Sequence, residues 1–181
     1  MTSPAPELDL AKRWLRAAHD AGVRASLEAV YADVGARIAE RAPACWASGR
    51  CCNFEKAGHR LYVTGLEAAY TLVRAPAERA IDAGLLTDAV RRGGCPFQVR
   101  NLCGVHTVKP LACRVYFCDR TAKDWQLALS EEMHERVRAL HTAHAVGYRY
   151  AEWRSLLAML LDAGGTGPDA GVAAPPVRDL T

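Results

Sequence analysis

The 181-residue sequence predicts a mainly α fold, a small helical domain with a cysteine-rich, loop-dominated metal-binding centre. Three observations predict it. Apolar residues recur at three- and four-residue steps through both ends of the chain, as they do along one buried face of a helix. All seven cysteines fall between Cys45 and Cys118. From Cys95 to Cys118 neither a helical nor a strand period persists, so something other than a backbone ladder is expected to hold that stretch.

Composition sets the frame. With 50% apolar and 24% charged residues and a net charge of +3, the chain reads as one ordinary globular domain. That domain is expected over residues 1–163, with its metal-binding segment at 45–118 and a disordered tail at 164–181, where little is large enough to bury. A chain of this length buries roughly 70% of its unfolded surface and needs no disulfide staples. No secretion signal and no apolar run of membrane-spanning length is read, so a cytoplasmic location with reduced thiols is expected. An odd number of cysteines could not pair off completely in any case. The positive charge is spread out and carries no aromatic-interleaved basic stripe, which argues against a nucleic-acid partner.

The elements follow in order. Leu8, Ala11, Leu15 and Ala18, then Leu27, Val30, Tyr31, Val34 and Ile38, mark two helices meeting near Asp20-Ala21-Gly22. Pro43 stops the second one just before Cys45. Thr64-Gly65-Leu66-Glu67 has the form of a capping box and predicts a helix running to about Arg74. A weaker helix is expected over 77–83, with Thr87 capping another short turn before Gly93-Gly94. Helix resumes over 122–145 and again over 150–162, and Gly164-Gly165 ends it.

The chemistry lies in Cys45, Cys51, Cys52, Cys95, Cys103, Cys113 and Cys118. Each sits in a stretch read as loop, beside Gly or Pro, where a chain can bend to aim ligands at one ion. Free cysteine is also a small core hydrophobe, but so many in a weakly patterned segment match core filling poorly. Redox exchange is disfavoured because no C-x-x-C pair is present. Successive spacings of five, none, seven, nine and four residues leave only Cys113 and Cys118 resembling half a zinc knuckle. An iron–sulfur cluster offers several iron corners, tolerates irregular spacing and suits the adjacent pair Cys51-Cys52, so a cluster, of the 4Fe–4S kind, is favoured over Zn²⁺. Between Arg91 and Lys123 there are seven Lys or Arg and one acidic residue, Asp119; such cations lower thiol pKa values and offset thiolate charge. Arg114, next to Cys113, is the cation best placed to support a ligand. Loss of the metal is expected to leave the middle of the chain largely unfolded.

Other groups weigh less. Glu131-x-x-His134 has the spacing of di-iron carboxylate bundles, which need two such pairs, and only one is present. Glu131, His134, His141, His144, His19 and His59 are therefore read as solvated surface. His106, between Cys103 and Cys113, is read as a ligand or as a hydrogen-bonding neighbour of the centre. Trp46 and Phe97 either cover the centre or pack against helices. No catalytic residue is assigned, because neither a nucleophile elbow nor a strand followed by a glycine-rich phosphate loop is found.

At these residues the sequence resembles the YkgJ-type cysteine-cluster family, whose pattern runs C-x-x-C-x-x-C-C, then a C-P block, then C-x-x-(Y or H)-x-x-(R or K)-P-x-x-C-R. Cys45, Cys51 and Cys52 match the first block, Cys95-Pro96-Phe97 the second, and Cys103, His106, Lys109-Pro110 and Cys113-Arg114 the third. Ser48 departs from the pattern, standing where the family has its second cysteine, so either a ligand is lost or Cys118 replaces it. The resemblance implies a helical domain wrapped around zinc or an iron–sulfur centre. Flagellin lysine methylases have a similar cysteine pattern, which implies as the alternative an iron–sulfur-dependent enzyme of the protein lysine methylase type. The expected function is thus metal chelation, with the metal ion or cluster as partner.

Overall fold

The structure, a computed structural model, describes residues 4–165. The tail expected at 164–181 lies outside the described residues, apart from Gly164 and Gly165. Eight α-helices dominate the described residues. Helices α1 (Pro4–His19) and α2 (Ala21–Arg41) are separated by Asp20, whose side chain accepts the Val23 amide and so caps α2. A short α3 (Phe54–Ala57) leads through β1 (Tyr62–Thr64) directly into α4 (Gly65–Arg74). Next come α5 (Ala83–Arg91), the two-residue strands β2 (Gln98–Val99) and β3 (Leu102–Cys103), and α6 (Leu111–Arg114). The long α7 (Lys123–Ala143) precedes β4 (Tyr150–Glu152), which runs straight into α8 (Trp153–Asp162).

Strands β1 and β4 pair antiparallel, with Val63 opposite Ala151. Each is followed at once by a helix, so the ribbon sets α4 and α8 side by side, and α1 packs on both. Close approach is possible because Gly65 has no side chain: a Cβ there would lie 2.3 Å from the Trp14 indole. Trp14 is fully buried, and its Nε1 donates to the Gly147 carbonyl at 2.7 Å. Phe54, Phe97, Trp153 and the Leu156, Leu157 and Leu160 row of α8 complete the centre of the core. At the end of α8 the Gly165 amide reaches Leu160 O and the Gly164 amide reaches Leu161 O, a Schellman stop with Gly164 at φ 86°.

Several expected boundaries change. The helix expected over 77–83 is only a 3₁₀ turn, Ala77–Arg79, flanked by Pro76 and the extended Ala80, and Ala83 already opens α5. Thr87 caps nothing; it lies inside α5 and donates to Ala83 O, while Asp82 is the cap. The stretch from Cys95 to Cys118 contains the β2–β3 hairpin and α6, elements too short to leave a period in sequence. Residues 150–152 are strand rather than the start of α8.

Candidate metal centre

Three chain segments deliver the cysteines, and each is bent by identifiable residues. After α2 stops, Ala42 takes a left-handed conformation, and Cys51 and Cys52 follow in a 3₁₀ turn, Arg50–Cys52. Gly49 begins that turn at φ 71°, where a Cβ would lie 2.8 Å from Gln98 Nε2. Its carbonyl accepts from the side chains of Asn53 and Gln98, which fastens the turn to the second segment. The Cys95 amide donates to Cys52 O at 2.8 Å, so the cysteines are adjacent through the backbone as well. Arg100 and Asn101, both at positive φ, form the two-residue turn that sends β3 back along β2 and places Cys103 opposite Gln98.

Cys113 arrives on α6, and α4 holds that helix in place. Glu67, 1% exposed, reciprocates the Thr64 cap as the sequence predicts, and its carboxylate does more. It accepts the Leu111 amide at 2.8 Å and the Tyr31 hydroxyl at 3.1 Å, besides the amide and hydroxyl of Thr64. One turn on, Thr71 Oγ1 donates to Val108 O at 2.8 Å. Burial first, and then the Glu67 charge, raises the Tyr31 hydroxyl well above its ordinary pKa, which keeps it a donor. The Arg114 guanidinium lies 4.0 Å over the Tyr31 ring and donates to Thr107 O. Arg114 is thus held on Tyr31, beside a relay from the capping box that sequence reasoning missed. An acidic residue followed by a tyrosine-bearing apolar helix face is too common a signal to have found it.

Cys52 is 5% exposed, and the neighbouring thiols of Cys103, Cys51 and Cys95, in that order, push its pKa up. The reciprocal effect, hydrogen bonding from Cys52, brings Cys51 down to about 6, with Lys109 helping. The same Cys52 contact brings Cys103 to about 7. Cys113 is raised by burial and then by the charges of Cys95 and Cys103. The shifts of Cys51 and Cys103 run toward the thiolate, the form that binds metal. Among the described residues no group of three or more His, Cys, Asp or Glu side chains is placed to hold a metal ion; what the cysteines share is the wall of one cleft.

Above these thiols opens a cleft of about 430 Å³. Cys51, Cys52, Cys103 and Cys113 line it, with Cys45, Cys118 and Trp46 also on its wall. Cys95 lies buried at 6% exposure beside Cys52. Ser48 Oγ is 3.6 Å from Cys118 Sγ, so the extra thiol faces the position where the family pattern has a cysteine. Lys109, Arg114 and His106 line the cleft, and among the described residues no carboxylate does. His106 Nε2 lies 3.1 Å from Lys109 Nζ, whose charge is the leading cause of the lowered His106 pKa. Trp46 is 65% exposed, whereas Phe97 is buried against Trp153 with ring centroids 5.9 Å apart, so the packing reading holds for Phe97.

The histidines read as solvated surface divide. His19 and His144 are exposed, and His144 meets Ser26 Oγ at 2.9 Å. His141 is only 2% exposed, and His59 stacks on Tyr116 at 5.2 Å, because α7 is covered by the 146–150 segment and α3 by the 116 region. His134 shares a 2.8 Å hydrogen bond with Tyr148 OH, away from the thiols. Comparison of the chain with protein-family models, with curated proteins and with solved structures returns no match. Among the described residues no helix is long and apolar enough to cross a membrane.

Proposed function

We propose that this chain is a metal-binding protein that chelates an iron–sulfur cluster or zinc through its clustered cysteines, as its likeness to the cysteine-cluster family implies. The observation that carries the reading is the cleft, on whose wall Cys45, Cys51, Cys52, Cys103, Cys113 and Cys118 from three chain segments lie together, with Cys95 tied to Cys52 through the backbone. Four soft donors drawn together, two of them with depressed pKa values and with Lys109 beside them, suit a thiophilic ion. Cys51, Cys52, Cys95 and Cys103 would hold it, with Cys113 adjacent and Cys45 and Cys118 on the wall of the cleft. A bound cluster would supply one-electron chemistry there, whereas zinc would supply a structural tie. Reduced thiols in a cytoplasmic setting belong to the same proposal. The adjacent pair Cys51-Cys52 favours a cluster, whose separate irons can each take one of them.

A second reading, the cluster-dependent protein lysine methylase, is favoured by the cleft itself, which at about 430 Å³ is within the range of small-ligand sites. Anaerobic purification followed by iron, sulfide and zinc analysis tests the proposal. Coloured protein with stoichiometric iron and sulfide supports a cluster and makes methyl-transfer assays worthwhile; colourless protein with one zinc supports the structural module. Protein carrying neither after purification and reconstitution would refute metal chelation. The Cys51→Ser and Cys103→Ser variants are expected to lose the metal.

A further inference from the structure

The cleft is one-sided in charge. The chain carries 20 acidic against 23 basic residues, yet the cleft wall has Lys109, Arg114 and His106 and, among the described residues, no carboxylate. Neither Lys109 nor Arg114 forms an ion pair with a carboxylate among the described residues. Lys109 Nζ, which can only donate, lies 3.1 Å from His106 Nε2, so a neutral His106 accepts there and keeps its proton as a donor on Nδ1. The Lys109 charge, then burial, then the Arg114 charge lower the His106 pKa and favour that neutral ring. Arg114 donates to the carbonyl of Thr107, the residue after His106, and its buried Nε has no partner. Donors therefore outnumber acceptors in this corner. Elsewhere the wall is apolar, with Val34, Ile38, Trp46, Leu102 and Phe117. Trp46 and Leu102 are 65% and 60% exposed, and single exposed apolar side chains need no explanation, but these two share one cleft. An apolar wall with a few converging polar groups is how small-molecule sites are built, and about 430 Å³ is within their range.

We propose that the cleft binds a small organic anion, whose charged end pairs with Lys109 and Arg114 and whose apolar body covers Trp46 and Leu102. The charged end gains from two cations set in a partly apolar wall, where an ion pair is screened less than on open surface. The body gains by taking apolar surface out of water. A neutral molecule of the same shape forfeits the first gain, and an inorganic anion forfeits the second. Such a ligand needs no metal on the thiols; with a metal bound there, it would lie beside the centre.

The test titrates reduced full-length protein with two fluorescent probes that share a ring body, 1-anilinonaphthalene-8-sulfonate and the uncharged N-phenyl-1-naphthylamine. The sulfonate is expected to bind at one saturable site and more tightly than its neutral analogue. Lys109→Gln should weaken the sulfonate at least about fivefold, as expected for loss of a charge-assisted contact, and leave the neutral probe unchanged. Trp46→Ala, at an exposed position, should weaken both. Raising NaCl on wild-type protein should weaken the sulfonate alone, which keeps the comparison available if Lys109→Gln misfolds. Absence of saturable sulfonate binding to wild type would overturn the proposal. So would unchanged sulfonate affinity in Lys109→Gln, which would leave Lys109 as a partner of the Cys51 and Cys103 thiolates alone. Equal loss of both probes in that variant, with its circular dichroism unchanged, would also overturn it by making Lys109 a support of the cleft wall. Each of these outcomes leaves the metal-binding reading standing, since that reading is decided by metal content and not by probe affinity.

Discussion

Glu67 receives four donors in a site nearly closed to water, and two of them come from parts of the chain far away in sequence, Tyr31 and Leu111. Glu67→Ala orphans all four donors, and leaving buried donors unsatisfied costs on the order of 3 kcal/mol or more. The expected result is a lower denaturation midpoint together with weaker metal retention, because the Leu111 amide at the start of α6 is what the carboxylate holds. Chemical denaturation with metal analysis on the same samples checks both; unchanged retention would separate Glu67 from the centre. His141 makes a different prediction. Burial, the largest cause, holds its pKa below 6.5; its Nδ1 lies 3.2 Å from Val146 O and its Nε2 has no partner. The folded state therefore resists protonation that the unfolded state accepts, so this residue's contribution falls as pH drops through about 6.5, by at most about 1.4 kcal/mol per pH unit. In His141→Leu the loss of stability between pH 7 and pH 5 should be shallower than in wild type, by urea denaturation across that range. An identical slope would contradict the assignment.

Among the elements, the ribbon of β1 and β4 decides how α4 meets α8, and Gly65 decides how closely α1 meets α4. Gly65→Ala sets a methyl into the Trp14 ring, and overpacking of that kind costs about 1–3 kcal/mol. Thermal melting should show a drop of about 2–4 °C for each kcal/mol in a chain of this size. No drop would mean that α1 can shift freely. Helices with a repeated apolar face, such as α1, α2 and α8, could be read from sequence because their periodicity spans several turns, and Thr64-x-x-Glu67 marked the start of α4 directly. The hairpin and α6 could not, since two-residue strands and a four-residue helix repeat nothing. Likewise the cysteines were legible as a group from their density between Cys45 and Cys118, but the turn at Arg100 and Asn101 that aims Cys103 carries neither glycine nor the usual Asn-Gly pair. The Glu67 relay depends on a contact 44 residues apart in the chain, which no local pattern contains.

At the scale of the whole molecule, the middle of the chain has more of its own support than a metal-dependent loop needs. Thr71 to Val108, Glu67 to Leu111, Cys95 to Cys52 and the Gly49 carbonyl all fasten it without any ion. Removal of the metal is therefore expected to lower the melting temperature and loosen the segment around Cys45–Cys52, while most far-UV helical signal persists, because α1, α4 and α8 pack on one another and α7 packs on α2. Circular dichroism before and after strong chelation reads this, and complete loss of helix would show that the ion organises the entire fold. The central claim is that sulfur from three separate segments converges on one inorganic centre. X-ray absorption fine structure at the metal edge of anaerobically purified protein tests it most directly: a shell of about four sulfurs near 2.3 Å is expected, and a shell of nitrogen and oxygen alone would contradict it.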